Sequence, residues 1–408
     1  MADQAVSVPF AVPNIGAEEE EAVLRVMRSG WLTTGGETLA FEKEFAEFLR
    51  IDGGDAPFCL AVNSATSGLH LALEAFGVRA GDVVFVPAYT FTSTAEVVRY
   101  LGAEPVFVDS MPGEFNIDPC ALEEAIEKIL DGKNPYTGRP ERWGKPRAVI
   151  PVHFGGAVCD MRELMRVARR YDLKVIEDAA HAFPSAAPCG WAGTIGDAGV
   201  FSFYATKTIT TGEGGMVVCA DGDVARRIAV MRSHGIDRSV WNRYTDTKAS
   251  WYYEVIEAGY KYNLPDILAA IGRVQLRRAR DLLEMRVEIA ARYDAAFSDN
   301  DSFIIPPSSP GDARHLYPLR LNLTALSISR DEFIVKLQKK GIGVSVHFIP
   351  LHIMPFYKKR YAIAGEDLPN AVQAFRQVVS LPIWPGMSAA QVERVIAVVK
   401  DTAREYTV

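Results

Sequence analysis

The strongest constraint on this chain is an alternation, between residues 58 and 219, of short apolar runs with segments of helical periodicity. Phe58–Val62 and residues 83–86, 105–108, 148–152, 174–177, 198–203 and 216–219 read as strands. Residues 64–76, 93–101, 119–129 and 161–171 read as helices between them. A strand that is apolar on both faces must be covered on both, and interleaved helices supply that cover. The pattern therefore predicts an α/β fold with a mostly parallel sheet. Upstream, residues 17–29 and 36–50 read as amphipathic helices around a small-residue loop, Gly30-Trp31-Leu32-Thr33-Thr34-Gly35-Gly36. From about residue 264 the texture changes. A helical segment to about 298 is followed by strands at 319–323 and 343–347 and helices at 330–340 and 389–404. We expect a large α/β domain over residues 1–255 and a smaller C-terminal α+β domain over 256–408. The polar stretch 131–147 reads as a surface insertion.

Composition excludes several functions. The net charge of −7 argues against nucleic-acid binding, which needs a basic face. Arg277, Arg278 and Arg280 read as a solvated face of a helix. The five cysteines are scattered, with no C-x-x-C pair, which disfavours a disulfide framework and predicts no metal site. No apolar run approaches the roughly 18 residues that span a bilayer. The first residues, Met1-Ala2-Asp3-Gln4, lack the basic start of a signal peptide, so the expected compartment is the cytoplasm.

Chemistry concentrates at predicted strand ends. Val175-Ile176-Glu177-Asp178 delivers an acid to the carboxyl end of a buried strand, the edge where open α/β sheets bind ligands. A carboxylate there is costly without a cationic partner. The next candidate strand runs through Ser202 and Phe203 into Tyr204-Ala205-Thr206-Lys207, then into the glycine-rich Gly212-Glu213-Gly214-Gly215. An acid and a lysine at neighbouring strand ends are what pyridoxal 5′-phosphate (PLP) requires: an amine to join its aldehyde and an anion to keep its ring nitrogen protonated. A phosphate site is expected where Val62 leads through Asn63 and Ser64 into Ala65, Thr66 and a helix, because a helix N-terminus offers free backbone N–H groups. Phe91 is placed to stack on a flat ring, and His181, three residues after Asp178, to touch the same ligand. Singly, each feature has an ordinary structural reading: a salt bridge, an N-capped helix, a core aromatic, a satisfied histidine. Their shared position at strand ends favours the cofactor.

Glu177-Asp178-Ala179-Ala180-His181-Ala182, Ser202-Phe203-Tyr204-Ala205-Thr206-Lys207, Gly212-Glu213-Gly214-Gly215, Gly259-Tyr260-Lys261-Tyr262-Asn263-Leu264-Pro265-Asp266 and the early Gly30-Trp31-Leu32-Thr33-Thr34-Gly35 together resemble the DegT/DnrJ/StrS nucleotide-sugar aminotransferases, in order and from about residue 8 to 400. The resemblance implies PLP fold type I, the aspartate-aminotransferase-like fold, and a homodimer with shared active sites. It implies Lys207 as the Schiff-base lysine and Asp178 as the partner of the ring nitrogen. His181 falls beside the ring and Phe91 on its face. Ala65, Thr66 and Ser202 fall on the phosphate, and Asn263 reaches the phosphate from the neighbouring subunit. Trp31, Leu32, Thr33 and Thr34, with Val346-His347-Phe348, fall on the nucleotide-sugar. By motif the chain is most similar to the ArnB-like 4-keto-sugar branch. That branch implies L-glutamate as amino donor, a UDP-linked 4-keto-6-deoxy sugar as acceptor, and a 4-amino sugar for surface glycan or lipopolysaccharide as product. The insertion at 131–147 and the aromatic residues Trp241, Tyr244, Trp251, Tyr252 and Tyr253 depart from the family pattern and bear on substrate choice.

Other readings are a 3-keto-sugar aminotransferase and a non-catalytic sugar-binding or regulatory homologue. The dehydratase branch replaces the lysine with histidine, and position 207 is lysine. No G-x-G-x-x-G closes the first strand, which disfavours a nicotinamide-dependent oxidoreductase.

Overall fold

The computed structural model describes residues 7–51, 53–237 and 252–408. Trp241, Tyr244 and Trp251 lie outside the described residues.

Two helices, α1 (Ala17–Ser29) and α2 (Gly36–Leu49), precede the sheet. Seven strands form it: β1 (Phe58–Val62), β2 (Val83–Pro87), β3 (Glu104–Val108), β4 (Pro146–Val149), β5 (Lys174–Asp178), β6 (Ala198–Ser202) and β7 (Gly215–Cys219). Their order is β1-β7-β6-β5-β4-β2-β3. The neighbours from β6 to β3 are parallel; β7 runs antiparallel between β6 and β1. The helices α3 (Ala65–Ala75), α4 (Ser93–Tyr100), α5 (Pro119–Leu130), α6 (Met161–Arg170) and α7 (Gly222–Met231) intervene, as the alternation requires. All five residues of β2 and of β7 are buried. The mostly parallel sheet expected from sequence is therefore present.

Downstream, α8 (Asp266–Arg277) packs on α1 and α2 and continues almost directly into α9 (Ala279–Phe297). Arg278, between them, bonds the buried Glu19 of α1, so it belongs to a helix–helix contact rather than a solvated face. A second, antiparallel sheet contains β8 (Phe303–Ile304), β9 (Tyr317–Leu321) and β10 (Val378–Leu381). The helices α10 (Arg330–Lys339), α11 (Pro355–Tyr361), α12 (Pro369–Gln377) and α13 (Ala389–Glu405) complete the chain. Val8 packs in the same apolar cluster as this sheet and pairs with Ile342. The strand expected at 343–347 does not form. Its backbone is divided between Gly343 N–H to Val8 O, 2.8 Å, and Ser345 N–H to Ser380 O, 3.2 Å, two partners on different segments. Among the described residues no helix is long and apolar enough to cross a membrane, and no group of His, Cys, Asp and Glu is arranged to hold a metal ion.

The insertion folds onto the edge of the sheet. Asn134 accepts from the N–H groups of Tyr136 and Thr137 and donates to Glu141, which closes the loop on itself. Tyr136 then accepts the outward N–H of Phe107 on the edge strand β3 at 2.7 Å. An otherwise open strand edge is thereby covered.

Side chains alternate across a strand, so Glu177 and Asp178 of β5 face opposite sides of the sheet. Glu177 is fully buried and accepts from the backbone N–H groups of Gly193 (2.8 Å), Ile195 (2.7 Å) and Gly196 (2.6 Å). His153 Nδ1 accepts the N–H of Cys159, so its proton sits on Nε2, which donates to Glu177 at 2.8 Å. This carboxylate ties the loop before β6 to the strand that carries Asp178. Charged hydrogen bonds of this kind each contribute about 1.5–3 kcal/mol. Glu177→Gln should therefore lower stability by about 2–3 kcal/mol, seen as an earlier midpoint in urea unfolding followed by circular dichroism.

Candidate active site

Four elements end at the carboxyl edge of the sheet around a cavity of about 450 Å³. β5 brings Asp178 and the turn after it brings His181. β6 brings Ser202 and the following turn brings Lys207. The segment after β1 opens into α3 with Ala65 and Thr66, and the segment after β2 carries Phe91. All seven side chains line the cavity, as do His347 and Phe348 from the C-terminal half.

The lysine turn is fixed from behind. Lys207 N–H donates to Tyr204 O at 2.9 Å. Thr210 Oγ1 donates to Phe203 O at 3.0 Å and accepts Gly212 N–H at 2.8 Å. Gln275 of α8 accepts Thr210 N–H at 3.3 Å. The glycines that follow allow close approach: a Cβ on Gly215 would meet Ala65 N and Phe201 O at 2.8 Å each. Any larger residue there would push β7 away from the α3 N-terminus.

Asp178 is buried and accepts from Thr94 Oγ1 at 2.9 Å and Ala180 N–H at 3.2 Å. Among the described residues no basic side chain forms an ion pair with it. Burial pushes its carboxyl above the usual range, against the pull of these hydrogen bonds and of the Lys207 charge. Burial lowers Lys207 from 10.5 to about 8, and Asp178 only partly opposes that. Desolvation thus outweighs mutual attraction at both groups. His181 is pushed well below its ordinary value, by burial first and by the Lys207 charge second. Its Nδ1 accepts Gly155 N–H at 3.2 Å, so the neutral ring carries its proton on Nε2.

At the other end, Ser64 caps α3 by accepting Ser67 N–H at 3.1 Å. That leaves the N–H groups of Ala65 and Thr66, the first two helical positions, without intrahelical acceptors. The Thr66 and Ser202 hydroxyls share their cavity. An amine, a desolvated acid without a cation and an anion cradle in one chamber fit PLP, whose ring nitrogen is cationic and whose phosphate is anionic.

The profile of the DegT/DnrJ/EryC1/StrS aminotransferase family matches residues 13–400. The chain belongs to that family. Within the DegT/DnrJ/EryC1/StrS family, the spore coat polysaccharide biosynthesis protein SpsC of Bacillus subtilis is 42% identical over 400 residues, 97% of each chain. Spr1654 of Streptococcus pneumoniae, solved in PLP, PMP and apo forms, superposes with a TM-score of 0.85 at 30% identity over 98% of each chain in its PMP form. PseC of Helicobacter pylori, an aminotransferase of pseudoaminic acid biosynthesis, gives 0.85 at 28% identity over 98% of this chain and 100% of its own. These likenesses bear out the aspartate-aminotransferase-like α/β fold and the PLP-dependent enzyme class.

Five expected site residues do not line the cavity within one protomer: Trp31, Leu32, Thr33, Thr34 and Asn263. They sit together instead. Asn263 Nδ2 donates to Thr34 Oγ1 at 2.6 Å, and Thr34 Oγ1 donates to Leu264 O at 2.5 Å. Asp266 accepts the N–H groups of Gly35, Glu37 and Thr38, and so caps α2 from a distant part of the chain. Conversely, the cavity residues Phe10 and His315, and Thr94 behind Asp178, were not singled out from sequence. Thr94 anchors Asp178, Phe10 stacks on His347 with ring centroids 5.4 Å apart, and His315 packs against His181 at 4.6 Å. Thr94 and His315 lie in segments whose sequence shows only a helix start and a strand approach. Phe10 precedes the first helix altogether.

The depressed Lys207 value gives a test by pH. Only the neutral amine attacks an aldehyde. Capture of free pyridoxal by cofactor-free protein, trapped with borohydride, should therefore rise about tenfold per pH unit and level off above about pH 8. Asp178→Asn removes the one charge that holds the amine's affinity for protons up, so the plateau should begin at lower pH. A midpoint that stays near 10.5, the value of an exposed lysine, would contradict the burial described here.

Proposed function

We propose that this chain is a PLP-dependent aminotransferase that moves the amino group of L-glutamate onto a nucleotide-linked 4-keto sugar of the UDP-4-keto-6-deoxy type. The observation that carries the reading is the meeting of Lys207, Asp178 and the Ala65–Thr66–Ser202 cradle in one cavity at the carboxyl edge of the sheet. The names of SpsC and PseC, one from polysaccharide and one from pseudoaminic acid biosynthesis, support a place in surface glycan or lipopolysaccharide assembly. The reading places the enzyme in the cytoplasm, with the two parts of the chain dividing near residue 255.

PLP supplies an aldehyde that takes up an amine and a ring that draws electrons from the carbon being deprotonated. This chain's residues do the rest. Asp178, held by Thr94, would keep a proton on the ring nitrogen. The N–H groups of Ala65 and Thr66 and the hydroxyls of Thr66 and Ser202 hold the phosphate, and Phe91 covers the ring. His181 would lie beside the ring and offer the cofactor its Nε2–H. Lys207 Nζ anchors the cofactor, then holds and returns the proton that moves during amino transfer. Its low proton affinity suits that shuttling near neutral pH. His347 and Phe348 form the acceptor side of the cavity. Asn263 and the loop of Trp31, Leu32, Thr33 and Thr34 lie away from the cavity of their own protomer, which supports a homodimer in which they complete the partner's site.

Lys207→Ala should fold and retain PLP weakly, without the absorbance band of the lysine-bound cofactor and without transamination. Asn263→Ala should lose PLP more readily on gel filtration. Mixing the two variants should restore up to about a quarter of wild-type activity, because random pairing gives dimers with one intact site; no recovery would place Asn263 outside the shared site. The acceptor is tested by offering UDP-, dTDP- and GDP-linked 4-keto-6-deoxy sugars and a 3-keto sugar with glutamate, and reading the position of the new amine by NMR. Amination at C3 alone would overturn the 4-keto assignment.

A further inference from the structure

We propose that His315 receives the α-carboxylate of the amino donor, offering it the Nε2–H of a neutral imidazole from the wall of the cavity. The inference rests on the aminotransferase reading above and names how that site recognises the first of its two substrates.

An amino acid entering this cavity brings a carboxylate that must find donors there. Among the described residues that line the cavity none is an arginine, and Lys207 is the one lysine. Lys207 is committed to the chemistry, so among the described lining residues of this protomer the carboxylate meets neutral N–H or O–H groups. His315 is 5% exposed, lines the cavity, and was not assigned any role by sequence. Its Nδ1 is buried without a hydrogen-bond partner. A proton placed on Nδ1 would be stranded, so it resides on Nε2, the nitrogen left to meet a ligand. His181 beside it, 4.6 Å between ring centroids, has its Nδ1 occupied by Gly155 N–H and its Nε2–H assigned to the cofactor, which leaves His315 to meet the carboxylate. The third cavity histidine, His347, bonds the Ser380 hydroxyl through Nδ1 at 2.9 Å. Among the described residues the lining around Lys207 thus includes three imidazoles and no arginine.

Behind His315 stands a positive charge. Arg286 of α9 is 3% exposed and donates through Nη1 to the carbonyl oxygens of His315, 3.3 Å, and Ile383, 2.8 Å. Its Nε has no partner, and among the described residues no carboxylate forms an ion pair with it. Burial alone lowers it to about 10, which leaves it charged at neutral pH. A buried guanidinium without a counter-ion is costly, and an anion arriving on the far side of His315 offsets that cost. The same cation disfavours protonation of His315, whose affinity for protons is reduced first by burial and then by His181, Lys207 and Arg286. His315 therefore stays a neutral donor.

The test compares two amino donors on three holoenzymes. Glutamate and 4-aminobutyrate both carry a primary amine and a carboxylate four carbons along the chain, but only glutamate has the α-carboxylate. The concentration that half-bleaches the band of bound cofactor is measured for each. His315→Phe keeps a ring against His181 and removes the donor. It should raise the glutamate value about 10–100-fold, the loss expected for one hydrogen bond to a charged group. The 4-aminobutyrate value should stay put, so the preference between the two collapses. His315→Gln restores an N–H near the place of Nε2 and should recover most of the preference. Glutarate binding by calorimetry should weaken in step, while cofactor retained after gel filtration should be unchanged. Equal loss for both donors, or a preference untouched in His315→Phe, would overturn the proposal. A wild-type protein with no cofactor band would instead sink the aminotransferase reading itself.

Discussion

The structure depends on placing Asp178 and Lys207 in one desolvated chamber without letting either satisfy the other. If they formed a close ion pair, each would lose the property it needs. The acid would be spent on an ammonium, and the amine would be held protonated near its ordinary value. Instead burial pushes the carboxyl up and the amine down together. A ligand that brings a cation to the acid and takes the amine into covalent bonding relieves both costs at once. The chamber is poorly satisfied alone and well satisfied with PLP in it.

Holding that arrangement falls to groups on the far side of the sheet and behind the loops. Glu177 faces away from the chamber, yet three backbone N–H groups and His153 converge on it and set the loop that precedes β6. Gln275 reaches from α8 to the turn after Lys207, and its own amide is held by Glu19 and the Asn14 carbonyl. Two adjacent residues of one strand thus serve different ends because alternation sends their side chains to opposite faces. Glu177 orders the backbone and Asp178 is left to face the cavity.

The central sheet was legible because its signal is local. Apolar runs bounded by turn residues specify buried strands, and the helices between them fix the parallel topology. The acid, the lysine and the α3 N-terminus were legible for the same reason, since each lies at the end of such a run. The C-terminal half was read less well. Residues 343–347 look like a strand, but Gly343 and Ser345 bond to Val8 and Ser380, partners more than thirty residues away that no local pattern reveals. The strand Val378–Leu381 went unread although three of its four residues are apolar, because Pro382 and Pro385 follow it closely and suggest a turn. His315, Thr94 and Phe10 were missed because their meaning comes from what they face across the chain, and a single sequence does not carry that.

The loop of residues 31–34 shows how one motif can read as a substrate contact and still be explained by packing. Thr34 gives its hydroxyl proton to Leu264 O and accepts from Asn263 Nδ2, while Asn263 Oδ1 accepts Lys261 Nζ at 2.5 Å. Asp266, four residues before Ala270, closes the same region by capping α2. Within one protomer the motif's polar groups are therefore largely engaged with one another. Asn263 has one amide N–H to spare after its bond to Thr34. That is enough for a single directed contact to an anion outside its own chain, and the bonds to Thr34 and Lys261 fix the side chain's rotamer beforehand. In the proposed dimer, a side chain that reaches into a neighbour's chamber gains from arriving already oriented. The internal bonding of the motif is compatible with the proposed intersubunit role.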